Sequence, residues 1–144
     1  MISTIHYLGV LLAIFHGISC LGNLQSAAAT GRLFCNLRPY PNARIKFWEY
    51  DFGLFQDDLL METRSDENGA FQVYGNDTEI GSIRPRVYIL HNCNDEATEC
   101  WRKVVIEVPK AYVSEGGVPR RVFNIGELSL DAHLPGEARD CITP

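Results

Sequence analysis

The sequence predicts an all-β protein, an antiparallel sandwich held together by disulfides. Short runs rich in Val, Ile, Phe, Tyr and Trp alternate with turn clusters roughly every 8 to 15 residues, which is the pattern of a small sandwich. The sequence shows no convincing amphipathic helix longer than two turns. Four of the five cysteines follow the N-terminal segment, and such a set is typical of extracellular domains.

The first 22 residues predict a cleaved secretory signal peptide. They contain no Asp, Glu, Lys or Arg, and residues 7–15 form an uninterrupted apolar run. This run is much shorter than the about 20 apolar residues of a membrane-spanning helix. We expect cleavage after Cys20 or Gly22, and a lipid-modified Cys20 is the weaker alternative. Residues 23–144 then suffice for one sandwich domain.

Composition argues against a general polyanion-binding role. The N-terminal segment carries no charged side chain, so the net charge of the rest is still −5. An acidic surface repels nucleic acid unless the basic residues are clustered. We therefore expect no nucleic-acid partner.

The alternation of apolar residues predicts the first two strands. Residues 28–35 form the first, and residues 43–50 form the second. In the second strand Ala43, Ile45 and Phe47 share one face, because successive side chains of a strand point to opposite sides.

Residues 59–64 and 70–74 flank the turn cluster Ser-Asp-Glu-Asn-Gly at 65–69. This arrangement predicts a β-hairpin, with Asn68 and Gly69 supplying the positive-φ turn.

Residues 88–91 and 103–108 are predicted to pair as antiparallel strands. Val104, Ile106 and Val108 alternate with other side chains, so we expect these three to face the core.

In the last strand the apolar positions change phase. Phe123 and Ile125 are followed by Leu128 and Leu130, and Gly126 lies between the two pairs. Glycine at a change of phase predicts a bulge or a bend there.

Blocks of residues along the whole sequence resemble the signature blocks of the nematode transthyretin-like family, in order and at natural spacing. They are GRLFCN at 31–36, DLL at 58–60, SDENGAF at 65–71, RP at 84–85, HNCN at 91–94, WRK at 101–103, IEVP at 106–109 and FNIGEL at 123–128. The resemblance implies a secreted transthyretin-like (prealbumin-like) β-sandwich of seven to eight strands. The family includes extracellular adaptors that recognise phosphatidylserine on dying cells, so it also implies a binding role.

The wider transthyretin superfamily contains 5-hydroxyisourate hydrolases, which use a histidine on the first strand, an arginine, a second histidine and a C-terminal Tyr-Arg-Gly-Ser. Residues 28–35 contain no histidine, and the chain ends Asp-Cys-Ile-Thr-Pro. After the predicted signal peptide the only histidines are His91 and His133, which have no partner motif for general acid–base catalysis. We therefore predict a protein that is not an enzyme and has no catalytic residue.

The four cysteines are predicted to form two disulfides. Cys93 and Cys100 bracket six residues between two predicted antiparallel strands, so a bridge across the mouth of this hairpin is geometrically natural. Closing so short a loop contributes about 2 kcal/mol. Cys35 is then left with Cys141, although four cysteines allow three connectivities. A zinc site made of His91, Cys93 and Cys100 is the alternative, but it lacks the paired Cys-x-x-Cys spacing.

Two acidic segments, residues 56–58 and 94–99, contain oxygen ligands of the kind that calcium takes. Neither segment has the fixed spacing of a recognised calcium loop, and acidic turns are usually just solvated. We expect no metal and no cofactor.

Asn76-Asp77-Thr78 is a sequon for N-glycosylation in a predicted loop. Asn76 is therefore a candidate glycosylation site.

Basic residues on neighbouring predicted strands are the candidate site for an anionic ligand. They are Arg84, Arg86, Arg102 and Lys103, and Arg120 and Arg121 begin the last strand. If they converge, they form a patch that binds an anionic headgroup or an acidic receptor surface. The alternative is ordinary edge-strand charge that deters aggregation.

Trp48, Tyr50, Phe52, Leu54 and Phe55 form a second candidate surface. They predict either an aromatic loop that enters a membrane or a partner groove, or packing on the outer sheet face.

The expected function is that of an extracellular binding, adaptor or signalling module, with a protein receptor or an anionic lipid surface as partner. The alternative is a carrier that holds an apolar small molecule in the channel of an oligomer. No motif reports the oligomeric state.

Overall fold

Strands make up most of the part of the chain that the computed structural model describes, residues 22–51 and 56–142. They are β1 (Asn23–Cys35), β2 (Arg38–Pro39), β3 (Arg44–Glu49), β4 (Asp58–Arg64), β5 (Ala70–Glu79), β6 (Pro85–His91), β7 (Trp101–Glu107), β8 (Ser114–Glu115), β9 (Val122–Ser129) and β10 (Ala138–Asp140). A single 3-10 turn, Lys110–Tyr112, lies between β7 and β8. The strands form two five-stranded sheets. The predicted all-β sandwich is confirmed. The described residues form ten strands where seven to eight were predicted, because β2 and β8, of two residues each, also pair. β1 and β9 pair parallel rather than antiparallel.

The first sheet is built around β1. β5 pairs with it antiparallel from Asn23↔Glu79 to Arg32↔Ala70, and β9 runs parallel to it on the other side. The short strands β2 and β8 pair with its two ends. β1 begins five residues before the predicted start at residue 28, because Asn23 and its neighbours already pair with β5.

The second sheet has the order β10-β7-β6-β3-β4, and every neighbouring pair is antiparallel. The predicted pairing of residues 88–91 with residues 103–108 is confirmed by the ladder between β6 and β7. Val104 and Val108 are buried and Ile106 packs against the core, as the alternation predicted.

The core lies between the two sheets. The second sheet contributes Ile45, Phe47 and Ile89, and the first contributes Leu33 and Val73, all fully buried. Burying side chains of this size stabilises the fold by about 1.5–3 kcal/mol each. The inward face predicted for the second strand is confirmed.

The predicted hairpin at residues 65–69 is wrong in its pairing, although its turn is present. β4 pairs with β3 in the second sheet, whereas β5 pairs with β1 in the first. The Asp66 side chain accepts hydrogen bonds from the N–H groups of Asn68 and Ala70, and Gly69 has φ +73°. Turn chemistry determines where a chain reverses, but not which strands it then joins.

The predicted bulge at Gly126 is confirmed. Asn124 pairs with Thr30 and Glu127 with Arg32, so Ile125 and Gly126 together face a single residue of β1. Gly126 has φ +86°, a backbone conformation that glycine adopts without strain.

Two predictions fall outside the described residues. They are the signal peptide, apart from its last residue Gly22, and the part of the aromatic loop that holds Phe52, Leu54 and Phe55. Within the described ranges, no helix has the length and apolar character needed to cross a membrane.

Candidate functional site

The disulfides join the four predicted cysteines in a different pattern. Cys35 bonds to Cys93 and Cys100 bonds to Cys141, with Cα–Cα distances of 5.9 and 4.4 Å. The predicted pairs, Cys93 with Cys100 and Cys35 with Cys141, are wrong. Cys93 is buried and bridges to the end of β1 in the other sheet, while β10 pairs beside β7 and brings Cys141 to Cys100.

The alternative zinc interpretation is also wrong. Cys93 and Cys100 are both held in disulfides, so neither is available as the thiolate that zinc requires.

Arg102 does not belong to a surface patch, and this part of the prediction is wrong. It is 3% exposed, and all five of its N–H donors are used inside the protein. They bind the carbonyl oxygens of Cys93 (3.0 Å), Leu130 (2.9 Å) and Ala132 (2.9 Å) and both carboxylate oxygens of Glu137. Arg102 therefore anchors the C-terminal segment to the second sheet.

The burial of Arg102 could have been predicted from the alternation of inward and outward side chains along a strand. Arg102 lies two residues before Val104, which faces the core, so it shares the inward face. Lys103, its neighbour, must then point to the opposite side. Arg102 and Lys103 are consecutive residues of one strand, so they cannot belong to the same patch on one face.

Arg84 and Arg86 do share a face, and they meet on one aromatic ring. The Cζ atoms of Arg86 and Arg84 lie 3.7 and 4.9 Å from the centroid of Tyr50. Such cation–π contacts hold a guanidinium at a fixed place on the surface. Glu107 approaches Arg86 at 3.5 Å and offsets part of its charge.

Two lysines repeat this arrangement on the same side of the sheet. Lys103 Nζ lies 5.3 Å from the centroid of Tyr88, and Lys46 Nζ lies 6.0 Å from that of Trp48. Lys46 is paired directly with Tyr88 across β3 and β6, and Trp48 with Arg86, and directly opposed residues project from the same side of a sheet. The Trp48 and Tyr88 rings are 6.3 Å apart.

Together these side chains form what we call the cation–aromatic face of the second sheet. It consists of Lys46, Trp48, Tyr50, Arg84, Arg86, Tyr88 and Lys103. Lys46 is only 8% exposed, whereas the other three cations are half-buried. Sequence reasoning identified Arg84, Arg86 and Lys103, but it missed Lys46 and Tyr88. Arg120 and Arg121 lie just before β9, which belongs to the first sheet.

The two histidines have contrasting surroundings. His91 is fully buried, and its Nδ1 accepts a hydrogen bond from the N–H of Cys93 at 3.2 Å. Burial, together with the positive charge of Arg102, lowers the pKa of His91 to about 4. His133 is 82% exposed and approaches Glu137 at 3.4 Å.

The acidic segment 94–99 is used for internal contacts. Both carboxylate oxygens of Asp95 accept hydrogen bonds from Arg139, and Thr98 donates to Oδ1 at 3.2 Å. The Arg139 guanidinium holds the pKa of Asp95 below its usual range. In segment 56–58, Asp57 accepts a hydrogen bond from the N–H of Asp51.

Asn76 lies within β5 rather than in the predicted loop. Its side chain is exposed, and its Nδ2 donates to the carbonyl oxygen of Gly117 at 3.2 Å. Its glycosylation stays a prediction.

Comparison with known proteins agrees with this architecture. A family model described as TTR-52: Transthyretin-like family matches residues 30–109. Transthyretin-like protein 5 of Caenorhabditis elegans is 34% identical over 92% of this chain and 96% of its own length. Transthyretin-like proteins 33 and 46 of the same organism are each 37% identical, over 82% and 92% of this chain and 82% and 75% of theirs. The chain therefore belongs to the transthyretin-like family.

Proposed function

We propose that this chain is a secreted, non-enzymatic adaptor that docks its cation–aromatic face on an anionic lipid surface. Family membership and the two disulfides support an extracellular domain. The apolar, uncharged N-terminal run supports export through a signal peptide.

The observation that carries the lipid proposal is the pairing of cations with aromatic rings on one sheet face. Arg84 and Arg86 lie over Tyr50, and Lys103 lies over Tyr88. Tyrosine and tryptophan favour the headgroup level of a membrane, where the ring is half in water and half in an apolar layer. Lysine and arginine near an anionic surface contribute about 1 kcal/mol each.

The net negative charge of the protein restricts its attraction to an anionic membrane to the cation–aromatic face. A protein with net charge −5 is repelled by an anionic membrane except where cations are concentrated, so binding depends on one orientation. Such binding weakens steeply with salt, because screening acts over about 8 Å at physiological ionic strength.

The non-enzymatic part of the proposal is supported by the histidines. His91 is sealed in the core beside Arg102 and has a pKa lowered to about 4, which does not suit a general acid or base that meets substrate at neutral pH. His133 is exposed, and among the described residues it forms an ion-pair contact with Glu137 alone.

Co-sedimentation of the oxidised protein, expressed without residues 1–22, with liposomes tests the lipid proposal. We expect binding to phosphatidylserine-containing vesicles, no binding to neutral vesicles, and loss of binding in 0.5 M salt, where the screening length falls to about 4 Å. The Arg84→Glu, Arg86→Glu double variant is expected to lose binding.

The matched control is Arg120→Glu with Arg121→Glu. It makes the same change in net charge on exposed residues next to the other sheet, so it is expected to keep most of the binding. A glutamate at position 86 would be repelled by Glu107, so the double variant Arg84→Gln, Arg86→Gln removes the two positive charges without adding this repulsion. Equal losses in both glutamate variants, or no binding to either vesicle by the unmodified protein, would overturn the proposal and favour a protein receptor.

A further inference from the structure

Three carboxylates, two at the end of β3 and one at the end of β5, meet at one end of the sandwich. Glu49 is the last residue of β3, Asp51 follows two residues later, and Glu79 is the last residue of β5 in the other sheet. Each offers a carboxylate oxygen, and these oxygens all lie within 4.8 Å of one another. The chain thus brings three acidic groups close together where the ends of the two sheets approach.

Glu49 is the unusual member of this acidic triad, Glu49, Asp51 and Glu79. Glu49 is 2% exposed, and its Oε1 accepts a hydrogen bond from the N–H of Arg84 at 3.0 Å. Its Oε2 is buried and has no hydrogen-bond donor among the described residues. A buried carboxylate oxygen without a partner is costly, so it requires an explanation such as an ion or a proton.

The three carboxylates of the triad interact unfavourably with one another when all are charged and no cation lies between them. Burial, with the nearby charges of Asp51 and Glu79, raises the pKa of Glu49 to about 7. Burial and the charges of Asp51 and Asp77 also raise the pKa of Glu79. Carboxylates this close repel one another unless a positive charge or a shared proton lies between them.

Open space adjoins the triad. A surface cavity of about 340 Å³ is lined by all three carboxylates, and by Tyr50, Ser82 and Arg84 among others. A second cavity of about 520 Å³ is lined by Asp51 and Glu79, and by Gln56, Asp58 and Asp77 among others. An ion at the triad would therefore have room for water ligands and further oxygen donors nearby.

We propose that Glu49, Asp51 and Glu79 form a binding site for one divalent cation of the calcium type. The donors are all oxygen, which favours calcium or magnesium over zinc or copper. Calcium takes about six to eight oxygen ligands at about 2.3–2.6 Å in a flexible arrangement, and oxygens that all lie within 4.8 Å of one another are compatible with it. Magnesium, at about 2.0–2.1 Å, requires a near-ideal octahedral set.

The bound cation would join the two sheets at this end. It would bridge β3 and the segment after it to β5, and it would give the unpartnered oxygen of Glu49 a ligand. Arg84 also lines this cavity, and its guanidinium lies over Tyr50. Neighbouring Asp77 adds negative charge.

Calcium titration of the chelator-treated protein tests the site by two readouts that do not involve lipid. Isothermal calorimetry is expected to show one binding event per chain, and differential scanning fluorimetry an increase in Tm at millimolar calcium. Magnesium is expected to give a smaller increase. Terbium is expected to luminesce when the nearby aromatic side chains are excited.

Asp51→Asn and Glu79→Gln are the site variants, and Glu67→Gln in the exposed turn before β5 is the control. The site variants are expected to lose the calcium-dependent rise in Tm, and the control to keep it. Without calcium, the Tm of Asp51→Asn is expected to exceed that of the unmodified protein, because the repulsion between Asp51 and the other two carboxylates is removed. A cooperative melting transition also shows that the variant folds.

Two results would overturn the proposal. One is no heat, no luminescence and no change in Tm for the unmodified protein, which would mean that a shared proton holds the triad. The other is a calcium-dependent rise in Tm that is the same in all three variants, which would place the ion elsewhere. Both are independent of vesicle binding, so failure of the lipid proposal leaves this one testable.

Discussion

At the scale of single residues, the Arg102–Glu137 pair holds the C-terminal segment in place. The side chains of the two residues are 4% and 10% exposed, and the guanidinium holds the pKa of Glu137 down at about 2. An ion pair buried to this degree is stable only because each of its polar atoms has a partner. Removing one member leaves the other buried without a counter-charge.

We expect Arg102→Ala to lower the free energy of unfolding by about 3–5 kcal/mol. Glu137→Gln should cost less but still more than 1 kcal/mol, because it removes the charge and keeps the shape. Urea denaturation of the oxidised protein measures both. The control is Arg44→Ala, at the more exposed Arg44–Glu62 pair, which should cost less than about 1 kcal/mol. Similar losses at the two pairs would contradict this account.

His91 predicts a loss of stability in mild acid. Its pKa is about 4 in the folded protein and about 6.5 in an unfolded chain, so the unfolded state binds the proton first as the pH falls. The contribution of His91 to stability should therefore fall between about pH 6.5 and pH 4, by up to about 3 kcal/mol. Glu49 acts in the opposite direction, because its pKa is raised to about 7 and the folded state binds its proton first. Arg102 lowers the pKa of His91 further, while Glu137 and Asp95 act in the opposite direction.

His91→Asn keeps an acceptor near the N–H of Cys93 and removes the titration. Relative to the unmodified protein, His91→Asn should become progressively more stable as the pH falls through this range, whereas His133→Gln, on an exposed side chain, should follow the unmodified protein. Chemical denaturation at a series of pH values makes the comparison. A stability difference between His91→Asn and the unmodified protein that does not change with pH would contradict the role given to His91.

At the scale of elements, β10 covers the edge of β7. Three register pairs join the two strands, from Ala138↔Lys103 to Asp140↔Trp101, and the bridge between Cys100 and Cys141 lies at the end of this ladder. A bare strand edge presents unpaired N–H and C=O groups that pair with other chains. The C-terminal strand and its disulfide therefore protect one edge of the second sheet.

Changing Cys100 and Cys141 together to Ser is expected to loosen β10 and expose the edge of β7. The 41-residue separation of these cysteines corresponds to a stabilisation of about 4 kcal/mol in the chain-entropy model. We expect a lower unfolding free energy and concentration-dependent self-association in analytical ultracentrifugation. Cys35→Ser with Cys93→Ser removes a bridge of similar span without freeing β10, so it should destabilise without the same association. Equal association in both variants would argue against a protected edge.

At the scale of the whole molecule, two regions of opposite charge lie next to each other. The cation–aromatic face covers the outside of the second sheet, and the acidic triad lies at one end of the sandwich. Arg84 touches both, since its guanidinium lies over Tyr50 and its N–H binds Glu49. A cation at the triad would thus stabilise the backbone next to the proposed lipid surface.

The local features of this protein could be predicted from its amino-acid sequence. Period-two alternation located the inward faces of β3 and β7, a change of apolar phase located the bulge at Gly126, and the signature blocks identified the family. These depend on residues that are neighbours along the chain, where strand geometry dictates which side chains share a face.

The contacts across the sandwich follow from the folded structure and not from any short stretch of sequence. The assignment of β4 and β5 to different sheets, the bridge from Cys35 to Cys93, and the meeting of Glu49 with Glu79 each join residues that are far apart in sequence or belong to different sheets. The alternation of side chains along β7 shows that Arg102 points inward, but it does not show that Glu137 is its partner. Such contacts depend on the order and packing of whole strands, because the energy that selects them comes from burying the complete core and not from any short segment.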